Sequence, residues 1–153
     1  MTVINSFQGE YFFLSNFFYS PVEFEGEIYP AVEHAFQAAK TFDLEQRTSI
    51  LQAASPAQAK HLGRGLPLRE DWEQVKFDIM LALLRRKFTQ TNLRQKLLNT
   101  GDSELIEGNT WGDKVWGCVL YKGQWIGQNH LGKLLMKVRA DIWKEGKDGS
   151  SSQ

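Results

Sequence analysis

The chain has 153 residues, enough to bury a core but short for two domains. Lys plus Arg and Asp plus Glu number 18 each, so the formal net charge is zero, which argues against a sequence-blind nucleic-acid coat held through phosphates. The single cysteine, Cys118, excludes an internal disulfide framework and suits a reducing compartment; no apolar run nears a membrane span, no basic-then-apolar leader opens the chain, and the expected location is cytoplasmic.

In chain order, Tyr11 to Phe18 is dense in aromatics expected to be mostly core. Val22-Glu23-Phe24 and Glu27-Ile28-Tyr29 alternate around Glu25-Gly26 and predict a hairpin. From Pro30 the pattern turns helical through Thr41, with Pro30 suited to the first turn and Val32, Phe36 and Ala39 forming an apolar stripe. Asp43 is expected to cap a helix to about Ala54, and Ser55-Pro56 to open another that Gly63 closes as a left-handed cap. Asp71 starts the longest expected helix, with Trp72, Val75, Ile79 and Leu83 as its buried stripe and Arg85-Arg86-Lys87 complementing the dipole at its end. Thr91 to Leu98 is a short helix ended by Asn99-Thr100-Gly101. Extended structure returns at Leu105-Ile106, followed by a hairpin of Val115–Tyr121 and Gln124–Ile126 across Lys122-Gly123. Asn129 caps a final helix carrying Leu131, Leu134, Leu135, Val138 and Ile142 on one face. This order predicts one α+β domain over residues 1–145, compact and mainly helical with small β-hairpins, and a disordered polar tail over 146–153.

Three clusters could carry chemistry. Glu33, Gln37 and Lys40 at i, i+4 and i+7 project from one side of a short helix, with His34 beside Glu33; they suit a pocket wall, though spacing alone reads more simply as a solvated face. Asn109-Thr110-Trp111-Gly112-Asp113 suits an indole stacked on a base beside a carboxylate, or a plain turn whose Asp bonds its own backbone. Gly127-Gln128-Asn129-His130-Leu131-Gly132 opens a helix whose N–H groups suit a phosphate or ribose, but has too few glycines for a dinucleotide fingerprint. Arg64, near another helix end, is a further anion candidate or a solvated loop arginine. The histidines at 34, 61 and 130 are far apart and Cys118 has no cysteine partner, so no familiar zinc spacing exists and no metal or cofactor is expected. No Gly-x-Ser-x-Gly elbow is present, and Cys118 reads as a small buried residue rather than a nucleophile.

The clusters occur in order with matching text around them: Leu14-Ser15-Asn16-Phe17, Tyr29 to Lys40, Gly63-Arg64, Leu68 to Lys76, Trp111-Gly112-Asp113 and Gly127 to Arg139. On these segments the chain resembles the NADAR superfamily of YbiA-like N-glycosidases from about residue 4 to about residue 143. The resemblance implies a compact, mainly helical α+β domain that hydrolyses N-glycosidic bonds without a metal. It implies two substrate classes: phosphoribosyl-aminopyrimidine intermediates of riboflavin synthesis, and ADP-ribose attached to guanine bases in nucleic acid. It would make Glu33 catalytic, with Asp113 and Lys40 close by. Trp72 and Trp111 would meet base or sugar, and Asn16, Arg64 and Asn129 ribose or phosphates; His34 and Gln37 join them as expected substrate contacts. Where some members have a short glycine-rich run, this chain has Lys114 to Ile126 with Trp116, Tyr121 and Trp125, expected as a hairpin at the pocket rim.

Cleaving an N-glycosidic bond passes through an oxocarbenium-like sugar, so a carboxylate that stabilises the cation and an acid that protonates the base are the needed parts. Glu33 is the principal carboxylate in this reading and Asp113 its partner, with Lys40 holding Glu33 ionised or donating to the leaving group. The expected partner is a nucleotide-like small molecule or ADP-ribosylated nucleic acid, and no membrane. The rival is a non-catalytic module that binds ADP-ribose or a nucleotide, which would need no carboxylate facing the sugar.

Overall fold

In a computed structural model, residues 2–151 are described, their side chains as far as Gly146. The chain runs through β1 (Val3–Ile4), a 3-10 segment (Gly9–Leu14), β2 (Tyr19–Phe24), β3 (Glu27–Ala31), α1 (Val32–Ala38), α2 (Leu44–Leu51) and α3 (Pro56–Arg64). It continues through α4 (Trp72–Lys87), α5 (Thr91–Asn99), β4 (Glu104–Leu105), β5 (Gly108–Asn109), β6 (Cys118–Tyr121), β7 (Gln124–Ile126) and α6 (His130–Ser151). This is the α+β class expected, mainly helical with small sheets. The contacts group into two compact units, Ser15–Lys87 and the described parts of 2–14 with 88–151. Among the described residues no helix is long and apolar enough to cross a membrane.

In the unit Ser15–Lys87, β2 and β3 pair antiparallel from Phe24↔Glu27 back to Tyr19↔Ala31, with an irregularity between Tyr19 and Val22. The two turn residues, Glu25 (φ 47°) and Gly26 (φ 92°), are both left-handed, which matches the strand twist in a two-residue hairpin. Pro30 lies in β3 instead of the helix's first turn, and α1 follows with Ala31 as an N-cap that has no side-chain cap bond. Asp43 does cap α2, accepting from Glu45 N and Gln46 N, and Ser55 caps α3 with Pro56 at the first position. Every residue of α1 is buried, because α2, α3, α4 and the β2–β3 hairpin all pack on it. A helix enclosed on this many sides has no solvated face.

The buried face of α4 is Trp72, Met80, Leu83, Leu84 and Lys87. The expected stripe is right at Trp72 and Leu83, but Val75 and Ile79 are only half-buried. Lys87, in the last turn of α4 as expected, is completely buried, its ammonium donating to Ser15 O (2.9 Å) and lying 5.5 Å from the Phe18 ring.

In the other unit, β1 pairs parallel with β4, and β5–β6–β7 form a three-stranded sheet, parallel then antiparallel. The β6–β7 hairpin falls at the expected Lys122-Gly123 turn. In the 3-10 segment Phe13 is buried while Phe12 is exposed, so that stretch is less a core than its composition suggests. Leu131, Leu135, Val138 and Ile142 bury one face of α6. Among the described residues α6 is the longest helix, at 22 residues against 16 for α4, and its backbone is helical through Ser151, past the start of the expected disordered tail. Ser152 and Gln153 of that tail lie outside the described residues.

Candidate active site

Glu33 is the second residue of α1 and only 6% exposed, and Gln37 one turn on is 5% exposed. Gln37 Nε2 donates to Glu33 Oε1 at 2.8 Å. The backbone places the carboxylate. With no side-chain cap on α1, the Glu33 N–H is taken by Asn16 O at 3.1 Å, so the Ser15-Asn16 turn serves as the helix's cap. Asn16 Nδ2 points to Met80 Sδ at 3.7 Å, and its buried Oδ1 has no hydrogen-bond partner among the described residues.

Lys40, half-buried just past α1, has its backbone carbonyl held by Arg69 N at 2.8 Å. Burial lowers the pKa of its amine; the Glu33 carboxylate pulls it back up, and Arg64 and Lys60 push it down. The Lys40 amine is therefore within electrostatic reach of one carboxylate and two other cations. Lys60 and Arg64 are one turn apart on α3, and Lys60 Nζ lies 5.9 Å from the Phe17 ring. Lys60 was not among the residues expected from sequence, although its i, i+4 relation to Arg64 was there to find.

Gly63 lies inside α3, and the helix ends on Gly65 at φ −88°, so the expected left-handed cap is absent. Gly63 has a different use. A Cβ there would overlap Gln37 Oε1 and lie 3.0 Å from Gln37 Cβ, so only a glycine lets α3 approach α1 this closely.

Several other expected contacts have structural work of their own. His34 is fully buried on α1, with Nε2 3.2 Å from Ala53 O, and burial lowers its pKa. The ring thus ties α1 to the segment before α3, while its buried Nδ1 has no hydrogen-bond partner among the described residues. Trp72, 5% exposed, packs on Phe36 with ring centroids 5.0 Å apart, so the indole belongs to the α1–α4 core more than to a binding surface. Trp72→Phe, which keeps an aromatic on Phe36 but leaves a void, is expected to cost about 1–2 kcal/mol in a thermal melt and to leave KM near wild type.

In the other unit, Asn109 Nδ2 donates to Asp113 O (2.8 Å) and Cys118 O (3.1 Å), and its Oδ1 accepts Asp113 N. Asp113 Oδ1 accepts Val115 N (3.0 Å) and Trp116 N (2.9 Å). The plain-turn reading of this Asp thus describes one of its oxygens. Trp111, on the same turn, is 58% exposed. Asn129 is buried with φ 54°, its Nδ2 on Leu105 O (2.9 Å) and its Oδ1 on Glu107 N (3.0 Å). Both ends of that amide pin the β4–β5 segment to the start of α6, which leaves it little capacity for the expected ribose or phosphate. Cys118 is buried and burial raises its thiol pKa, as befits a packed residue.

The NADAR domain model matches residues 5–143. The chain is 40% identical over 146 residues to N-glycosidase YbiA of Escherichia coli (strain K12), covering 92% of this chain and 89% of that one. It is 37% identical over 133 residues to riboflavin biosynthesis protein VVA0006 of Vibrio vulnificus (strain YJ016), covering 85% of this chain and 35% of that protein. The NMR structure of E. coli YbiA superposes with a TM-score of 0.80 at 38% identity, covering 95% of this chain and 87% of that one. The fold and these relatives define an N-glycosidase, a hydrolase of N-glycosyl compounds. The chain belongs to the NADAR domain family.

Proposed function

We propose that this protein hydrolyses the N-glycosidic bond of a phosphorylated, nucleotide-like substrate, with Glu33 as the catalytic carboxylate and Lys40 as its partner. The observation that carries the reading is the burial of Glu33 and Gln37 in a hydrogen-bonded pair beside Lys40. Burying a charge is costly unless it is paired, so this is an unusual use of a short helix. The C1′–N bond breaks with its electron pair leaving on the base nitrogen, and a water oxygen adds to C1′. The ionised Glu33 stabilises the cationic sugar and accepts a proton from the water. An amine whose pKa is lowered by burial is a better proton donor than an ordinary lysine, and Lys40 supplies the proton that the departing base takes up. Arg64 and Lys60 suit the substrate's phosphate and Asn16 Oδ1 a sugar hydroxyl.

The acting domain in this reading is residues 1–145, since the family match runs through both compact units. A phosphoribosyl-aminopyrimidine of riboflavin synthesis is the first substrate to try, supported by the naming of the Vibrio relative, and ADP-ribosylated guanosine the second. A cytoplasmic location goes with either, supported by the lone buried Cys118. The test incubates purified protein with each compound and follows free base by mass spectrometry. Tight binding of both without base release would turn the reading to a non-catalytic nucleotide-binding module.

Among the described residues no group of three or more His, Cys, Asp or Glu could hold a metal ion. Turnover is therefore expected to be unchanged by excess EDTA. Loss on chelation with recovery on adding zinc or magnesium would contradict this.

A further inference from the structure

We infer that Gln37 acts as a positioning residue for Glu33, and that Gly63 on α3 holds Gln37 in place. The inference rests on the reading of Glu33 as the catalytic carboxylate. Gln37 was expected among the substrate contacts, but its amide is turned inwards. Nε2 donates to Glu33 Oε1 at 2.8 Å, and Oε1 is pressed against Gly63, where an added Cβ would overlap it. The amide cannot be reversed, because two acceptor oxygens would then face each other at hydrogen-bond distance. Oε1 has no hydrogen-bond partner among the described residues, so what keeps it there is packing: Gln37 is 5% exposed and Gly63 is also buried. A buried amide with one end bonded and the other wedged has one available rotamer. It therefore holds the carboxylate in one orientation. This explains two features at once: why a helix carries glycine in its last turn without using it as a cap, and why an amide occupies the position one turn after the carboxylate.

The experiment measures kcat and KM with a phosphoribosyl-aminopyrimidine, or with ADP-ribosylated guanosine if only that is turned over, for Gln37→Met, Gln37→Ala, Gly63→Ala and Gly63→Ala/Gln37→Ala, each beside a thermal melt. Glu33→Gln is the reference. Gln37→Met keeps the volume and removes the donor; kcat should fall about tenfold or more while KM stays within about threefold. Gly63→Ala should lower kcat alone, yet change it less than about twofold in the Gln37→Ala background, where the nearest remaining contact is Gln37 Cβ at 3.0 Å. Equal losses from Gly63→Ala in both backgrounds would make Gly63 a packing residue with no route through Gln37, and a rise in KM with unchanged kcat for Gln37→Met would make Gln37 a substrate contact; either overturns the inference. If Gly63→Ala does not fold, Gln37→Met decides alone. A Glu33→Gln variant with near-normal kcat sinks the underlying reading, which is separable from an inactive Glu33→Gln beside fully active Gln37 variants.

Discussion

Glu33→Gln is expected to lower kcat at least a hundredfold while the protein folds and binds substrate as before. The substitution keeps the size of the side chain and removes the charge, so it is aimed at the transition state: an amide cannot stabilise a cationic sugar or take a proton from water. A contribution that grows as positive charge develops on the sugar appears in kcat and not in binding. General acid–base work alone is typically worth about 10²–10⁴-fold, which sets the lower bound. KM should move little, because Arg64 and Lys60 are untouched. The fold should also survive, since an amide at 33 still accepts from Gln37 Nε2 through its oxygen and the Glu33 N–H to Asn16 O is a backbone bond. Kinetics beside a thermal melt decide it. A folded variant with near-wild-type kcat would remove Glu33 from the chemistry and move attention to Asp113.

Lys87→Met is expected to raise stability at pH 6 and to lose that advantage as the pH approaches 10. Burial brings the Lys87 amine from its ordinary 10.5 down to about 7 in the folded protein. Below pH 7 both the folded and unfolded chains carry the proton, and the fold bears the full cost of a buried cation. Between about 7 and 10.5 the unfolded chain binds more protons than the folded one, so stability rises with pH through that window. The cost removed by methionine is on the order of a few kcal/mol, several degrees in Tm for a domain of this size. Melts of the two proteins at pH 6 and pH 9.5 read it as a difference of differences, in which every other titrating group cancels. An equal gap at the two pH values would show that Lys87 is not titrating with a depressed pKa in the fold. The amine also donates to Ser15 O, next to the turn whose Asn16 carbonyl takes the Glu33 N–H.

Local signals in the sequence were sufficient at two hairpin turns and two helix starts, though not at Pro30, which lies in β3, or at Gly63, which lies inside α3. Glu25-Gly26 and Lys122-Gly123 named their hairpins because both positions of each turn need positive φ. Asp43 and Ser55-Pro56 named helix starts because a side-chain oxygen or a missing N–H answers the first-turn donors. The helical spacing of Glu33 and Gln37, and the family, were legible for the same reason: both depend on order and identity along the chain. Tertiary structure decided what position along the chain does not contain. Spacing alone left Glu33 and Gln37 on either a wet face or a pocket wall, and only the packing of α2, α3, α4 and the β2–β3 hairpin around α1 buried them. Gly63 reads as a cap until a second helix is seen pressing on Gln37. Asn129 reads as a ligand group until its amide is found on Leu105 and Glu107, 24 and 22 residues away. Lys87 follows two exposed arginines and carries no mark of burial; it is buried because α4 presents that face to the Ser15–Phe18 segment, a contact spanning 72 residues. Caps, turns and periodicity are properties of neighbouring residues, whereas burial and the choice of hydrogen-bond partner belong to the packed whole.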